Sequence, residues 1–355
     1  LKKESLRFCN PALLGPSPMH EGGELMANDL SVTTSTPGVD LDERQIVLAH
    51  GGGGELTRRL LKTHILPKLA NPLLDPLGDA AVLPAIGGPI CFSTDSFVVQ
   101  PLEFPGADIG RLAVCGTVND VAMMGAEVLG LSLALILEEG LEMKVLDRIV
   151  DSIVNAAREA GVSIVTGDTK VLEHRRGDGL MITTAGLGRR LDGVDLSPRH
   201  VRPGDRVLVS GGLAEHGLAV MSAREGLGFE TSIRSDAAPL NGLVRHLLEL
   251  GAGVRFLRDP TRGGLAGLLA DLSEECGLSI EIDEDALPLS PAVRAASEML
   301  GLDPLSIANE GKLVAVVAPE VAERCLARMR EHPLGRRAAD IGVLCPGEPP
   351  LVELL

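Results

Sequence analysis

CFSTDSFVVQPLEFPGADIGRLAVCGTVNDVAMMGAEVLGLSLALIL, residues 91–137, decides the fold class. Its first nine residues, 91–99, are rich in Phe and Val and read as a strand. Residues 107–126 carry apolar side chains at helical spacing and close near Gly125, which predicts a helix. VLGLSLALIL (128–137) is a continuous apolar run of the length of a buried strand. A strand, a helix and a strand in direct succession point to an α/β or α+β architecture.

The alternation continues on both sides. LEMKVLDRIVDSIVNAAREAG (141–161) is an amphipathic helix stopped by Gly161, and VSIVTGD (162–168) and LMITTAGLG (180–188) follow as strands. RRLDGVDLSPRHVRPGD (189–205) is polar, with two prolines and a Pro-Gly turn, and marks a domain boundary. The first domain is expected over 44–190 and the second over 200–345. The second opens with the strand RVLVSG (206–211) and ends with KLVAVVA (312–318), the helix VAERCLARMR (321–330) and a strand near IGVL (341–344). Residues 346–355 then read as the start of a tail, with Cys345 directly after the last strand. Upstream, QIVLAHGGGGELTRRLLKTHIL (45–66) passes from an apolar segment through four glycines into a helical pattern. Residues 1–43, with Pro11, Pro16, Pro18 and Pro37 and no apolar periodicity, read as a disordered leader, and Met19 or Met26 as natural starts.

Composition excludes several classes of function. A net charge of −16 and a pI near 5.0 argue against a nucleic-acid partner, whose phosphates require a basic surface. The chain has no Trp and no Tyr, so it also lacks stacking platforms for single strands. No apolar run reaches the ~18 residues of a membrane span, and no secretory signal is present, which together place the chain in a reducing cytoplasm. Six cysteines stand apart, without CxxC or zinc-finger spacing, and Cys91, Cys115 and Cys276 read as inert core residues. There is no Walker A motif and no G-x-S-x-G elbow, and GGGG at 51–54 lacks the dinucleotide-binding spacing.

What recurs is an acid beside a strand end or turn. Asp79 stands in LGDAAVL, Asp95 in FSTDSF and Asp168 in VTGDTK, while Asn119 and Asp120 lie inside an apolar helix. Charges in apolar runs are costly unless paired or bound to metal, and hard oxygen ligands suit magnesium. Alternatively, each Asp forms a turn or caps a helix. Lys170, one of only seven lysines against 26 arginines, lies just past a strand, as a point charge for a phosphate or as a solvated turn residue. In RDPTRGGL, Thr261, Gly263 and Gly264 open a helix whose free N–H groups suit an anion, with Thr261 as a simple N-cap being the alternative. Gly51, Gly52 and Gly53 permit backbone to approach phosphate, or form a flexible joint. Glu310 in IANEGKL is a general base or a partner for Lys312. His50 and His216, each followed by glycine, read as turn residues.

LAHGGGGELTRRLL, STDSFVVQPLEFPGADIGRLAVCGTVNDVAMMGA, ILEEGL, IVTGDTKV, RDPTRGGL and ANEGKL resemble, in order, the signature blocks of the hydrogenase maturation family HypE, over about residues 46–345. That family belongs with aminoimidazole ribonucleotide synthetase, selenophosphate synthetase and thiamine-monophosphate kinase. The resemblance implies a two-domain PurM-like fold, with a homodimer whose N-terminal sheets join as a barrel. It implies ATP between the domains and Mg2+ on acidic residues: Asp79, Asp95 and Asp120 for metal, and Asn119, Asp168, Thr261 and the glycines of both loops for the nucleotide. Lys170 and Glu310 would flank a carboxamide that is dehydrated to a nitrile, after HypF has delivered a carbamoyl group to a C-terminal cysteine. A HypC–HypD complex would accept the cyanide for a [NiFe] hydrogenase.

Two departures stand out. The family ends in Pro-Arg-Ile-Cys, whereas this sequence ends GEPPLVELL, which implies either a longer natural chain or one unable to accept the carbamoyl group. Ala214-Glu215 precede His216, where the family has Gly-Asp. The alternatives to a dehydratase are another ATP-dependent kinase or synthetase of the superfamily, and a non-catalytic maturation scaffold. A selenophosphate synthetase carries a reactive cysteine near its glycine loop, and GGGG has none.

Overall fold

The computed structural model describes residues 44–226, 233–251 and 253–355, so the leader expected over 1–43 lies outside the described residues. The chain enters through a helical arm made of α1 (Glu55–Leu60), a π turn over Leu61–Ile65 and α2 (Leu66–Leu69). β1 (Ile90–Phe97) follows, then a short ladder of β2 (Glu103–Phe104) and β3 (Ala107–Asp108), α3 (Ile109–Met123) and β4 (Ala126–Glu138). α4 (Met143–Ala160), β5 (Ile164–Leu172) and β6 (Leu180–Arg190) complete this half.

The four long strands lie in the order β1-β6-β4-β5, with β4 parallel to β5 and antiparallel to β6. The sheet is covered on one face by α3 and α4. Leu146, Ile149, Val150 and Ile153 of α4 are fully buried, at the three-to-four-residue spacing of a core-facing stripe. Each such side chain contributes about 1.5–3 kcal/mol on burial. Among the described residues the other face is open. Along β1 exposed and half-buried residues alternate, leaving Ile90 and Phe92 57% and 70% exposed. β1 and β5 are edges, so the sheet does not close into a barrel within one chain.

The second half contains β7 (Arg206–Val209), α5 (Glu215–Arg224), α6 (Asn241–Leu248), β8 (Val254–Arg258), α7 (Gly264–Cys276) and β9 (Ser279–Ile282). α8 (Pro291–Leu300), β10 (Val314–Val317), α9 (Ala322–Glu331), β11 (Ala339–Cys345) and β12 (Val352–Leu354) follow. Its six-stranded sheet has the order β12-β9-β11-β7-β10-β8, and the inner strands β7 and β10 are buried on both faces. Leu208, Ala315 and Val317 pack with Leu243 of α6 and Met329 of α9. Val207, Val209 and Val316 pack with Leu268 and Leu272 of α7. Double burial explains why β10 reads as an unbroken apolar run while β1 alternates.

Two details of the C-terminus differ from the sequence reading. Cys345 lies within β11 rather than after it, and residues 352–354 pair with β9 as a parallel edge strand. Edge pairing is made by backbone groups, so a segment interrupted by Pro349 and Pro350 gave no strand signal. No helix among the described residues is long and apolar enough to cross a membrane.

Candidate active site

Asp95 sits on the helix-covered face of β1, in register with buried Thr184 of β6. Asp120 emerges from α3, where residues 112–119 are all buried. The two carboxyls meet, with a hydrogen bond between them and a further one from Thr117 to Asp95. The Ser93 hydroxyl donates to Asp120 Oδ2 at 2.6 Å. Burial, and then the charge of Asp120, push Asp95 up to about 6, while the exposed Arg262 pulls in the other direction.

The second half supplies two more acids. Asp259, directly after β8, is 8% exposed, and its Oδ2 has no hydrogen-bond partner among the described residues. Burial and then the Asp120 charge push it up to about 7. Glu310, on the loop before β10, is held well above the ordinary carboxyl range by burial and then by Asp259, Asp236, Asp95 and Asp120. Four acids packed this closely cannot all ionise without a cation or shared protons. The arrangement therefore favours retained protons or an approaching positive charge. Glu310 does not pair with Lys312, whose Nζ lies 3.1 Å from Asp236 Oδ2.

The RDPTRGGL loop borders this cluster. Gly263 is the N-cap of α7, and Thr261 instead accepts the Gly264 N–H through its carbonyl, so Thr261 is not the cap. Gly264 has φ +62°, and a side chain there would meet Leu305 O at 2.4 Å. Only glycine fits this close crossing.

The remaining expected residues lie elsewhere. Asp168 and Lys170 are on β5 at the opposite edge of the sheet, in register with Ala134 and Ile136 on its open face. Lys170 is inside the strand rather than past it, and among the described residues its one ion pair is with Asp168 at 3.9 Å, both side chains being well exposed. Three strand spacings, about 14 Å, separate this edge from β1. The expectation that Lys170 and Glu310 flank one carboxamide is therefore not met within a single chain. Gly51 packs on Val171 of β5, and Gly52 and Gly53 are exposed beside it. Asp79 is exposed on the loop before β1, and the neighbouring Gly78 and Ala80 line a cavity of about 290 Å3. This cavity is walled by Leu61, Ile65, Leu74, Leu133 and Leu135, with Thr166–Thr169 at its rim.

Asn119 also differs from expectation. It has no exposed surface, and its amide is used on backbone: Nδ2 donates to the carbonyls of Ala238 and Glu310, and Oδ1 accepts the Leu240 N–H. That leaves it no donor for a nucleotide. Cys115 is buried, and its thiol is pushed up to about 12, whereas Cys91 and Cys276 are only half-buried. His50 is buried in its turn, and His216 lies on α5, edge-on to Phe104. Sequence reasoning missed Asp259 and Asp236. Asp259 follows the strand VRFLR in a Pro-containing turn where an acid is ordinary, and nothing in the polar segment around Asp236 singled it out.

Residues 77–190 match the N-terminal domain, and residues 202–350 the C-terminal domain, of the AIR synthase related proteins. The carbamoyl dehydratase HypE of Azotobacter vinelandii is 48% identical over 316 residues, covering 89% of this chain and 93% of that protein. The chain belongs to the HypE family. Its architecture is accordingly the two-domain PurM-like α/β fold. A crystal structure of the hydrogenase maturation protein HypE in complex with ATP superposes with a TM-score of 0.83 at 46% identity, covering 87% of this chain and 94% of that one. A HypE–HypF complex gives 0.73 at 46% identity, covering 85% and 96%.

Proposed function

We propose that this HypE-family chain dehydrates a cysteine S-carboxamide to a thiocyanate with ATP, supplying cyanide for the iron centre of a [NiFe] hydrogenase. The observation that carries this reading is Glu310, a carboxyl held above its ordinary range beside a cation-binding set of acids. The overall change is R–S–CO–NH2 + ATP → R–S–CN + ADP + phosphate. The amide oxygen leaves within the phosphate, and the nitrogen gives up both protons. Glu310 takes these protons in turn and passes them to solvent.

The donor set fits Mg2+. Asp95, Asp120 and Asp259 offer hard carboxylate oxygens, and one Asp259 oxygen is unclaimed. Among the described residues no three acids or histidines converge closely enough to cage a metal unaided. That suits an ion which keeps water and phosphate oxygens in its shell. Bound Mg2+ would supply charge neutralisation for the transferring phosphoryl group. Thr261, Gly263 and Gly264 would line phosphates from one side. Gly51–Gly53, Asp79 and Asp168 would serve the nucleotide from the β5 side.

A homodimer completes the site. The open face of the first sheet carries exposed Ile90 and Phe92, and Val98 just beyond β1 is 57% exposed. A second copy packed there, closing the two sheets into a barrel, would bring the Lys170 of one chain toward the Glu310 of the other. Lys170 would then stabilise developing phosphoryl charge. HypF as carbamoyl donor, HypC–HypD as cyanide acceptor and a cytoplasmic setting complete the reading.

The test is to incubate the protein with Mg-ATP and a peptide ending in S-carbamoyl cysteine. The expected result is a peptide one water lighter, with stoichiometric ADP. ADP release with an unaltered peptide would point to a different ATP-dependent reaction.

A further inference from the structure

We propose that Asp236 and Asn119 are positioning residues that grip the Glu310 peptide from both sides and thereby aim its carboxylate. The proposal rests on the reading of Glu310 as the base. Asp236 Oδ1 accepts the Glu310 N–H at 3.0 Å, and Asn119 Nδ2 donates to the Glu310 carbonyl at 3.2 Å. The Glu310 carboxylate itself makes no hydrogen bond among the described residues. Its position is therefore set through its backbone, which leaves both oxygens free to take protons.

The surroundings make the grip rigid. Asp236 Oδ2 lies 3.1 Å from Lys312 Nζ, an ion pair of two nearly inaccessible groups that holds it by charge without a hydrogen bond. Asn309, one residue before the base, accepts the Ala214 N–H at 2.7 Å and donates to the Pro260 and Ile307 carbonyls at 3.1 Å. One residue after it, Gly311 crosses the 236–238 segment so closely that a Cβ would stand 1.8 Å from Asp236 O. Asn119 adds a link to the cation-binding acids, because it immediately precedes Asp120 on α3. One helical turn thus sets both the acid pair and the base. A buried carboxylate is costly unless paired and hydrogen-bonded, and an apolar residue would fill the Asp236 position with less desolvation. Only an acceptor can hold the Glu310 N–H.

The experiment compares Asp236→Ala and Asp236→Asn with the wild type. Three readouts are taken: kcat for peptide dehydration, Kd for Mg-ATP, and hydrogen exchange at the Glu310 amide. Lys312 has Glu215 at 4.0 Å as a second partner, so the fold should persist, and melting curves check this. Alanine removes the acceptor, and kcat should fall about 10²-fold, as expected for a reacting group misplaced by an ångström, with Kd within about twofold. Exchange at Glu310 should speed up in the same variant. Asparagine keeps an acceptor and should restore at least about a tenfold part of the loss. Equal losses in both variants, or an unchanged kcat in the alanine variant, would overturn the proposal. So would an unprotected Glu310 amide in the wild type, a measurement that needs no variant. Absence of wild-type turnover would instead sink the dehydratase reading, and the exchange data would still report on the grip.

Discussion

The carboxylate cluster and the β5 edge hold acids of the same chemical type in opposite physical states. At the cluster, Asp95, Asp120, Asp259 and Glu310 come from both halves of the chain, and burial with mutual repulsion drives Asp95, Asp259 and Glu310 upward. At the β5 edge, Asp168 and Lys170 are exposed and only loosely paired. The difference follows from the two faces of one sheet. α3 closes the face that carries Asp95, while among the described residues no element covers the face that carries Asp168. On the proposed reading, the cluster is the proton-handling part of the site and the β5 edge is its remainder. Completion by a second copy is the economical explanation.

Glu310→Gln should give the largest effect in this comparison. The side chain keeps its size and loses its basicity, so turnover should fall about 10²–10⁴-fold while Mg-ATP still binds. Steady-state kinetics with calorimetric titration of ATP check this. Retained turnover would remove the cluster from the chemistry.

Lys170→Ala sharpens the contrast, because Lys170 is exposed and its loss should leave the melting temperature unchanged. Turnover should suffer more than ATP affinity. If the site is shared between copies, mixing equal amounts of inactive Lys170→Ala and Glu310→Gln proteins should restore about a quarter of wild-type activity after subunit exchange, since half the dimers hold one intact site. No recovery would confine each site to one chain.

The cluster should also reveal itself through pH. Unfolded Asp259 ionises near ~3.9, whereas the folded residue keeps its proton up to about 7. A raised acid contributes its full stability below the unfolded value and loses it as pH rises through this window. Nucleotide-free protein should therefore lose on the order of a few kcal/mol between about pH 4 and pH 7. Asp259→Asn should flatten that slope, as thermal melts across the range would show.

The smallest expected effect is at Ala214. Its φ of +66° is left-handed. That conformation costs an L-residue roughly 1–2 kcal/mol, and glycine's greater unfolded freedom offsets about 0.5–1 of it. Ala214→Gly should stabilise by less than about 1 kcal/mol in denaturant melts.

The same contrast explains what the sequence disclosed. Asp95 and Asp120 drew notice as acids set against apolar runs, a pattern that local reading detects, whereas Glu310 lies in a loop and its role came only from the family resemblance. The strands and helices of 91–188 were legible from local pattern too, since one-sided burial writes a period into the sequence. Asp259 was hidden in a Pro-containing turn where an acid has an ordinary explanation. Asn119 was placed on the helix correctly, but its role is a set of contacts to backbone more than a hundred residues away, which no local pattern records. Lys170 was recognised as unusual, yet which face of β5 it occupies depends on register, fixed only when β4 pairs with β5. β12 gave no signal because three residues on an edge are held by backbone alone.

The most direct test of the central claim follows the amide oxygen. A carbamoyl peptide labelled with heavy oxygen at its carbonyl is turned over with unlabelled ATP in unlabelled water. Dehydration through phosphorylation of that oxygen predicts thiocyanate free of label and inorganic phosphate carrying one labelled oxygen per turnover. Label appearing in water, with unlabelled phosphate, would show that ATP is cleaved separately from the amide and would contradict the account.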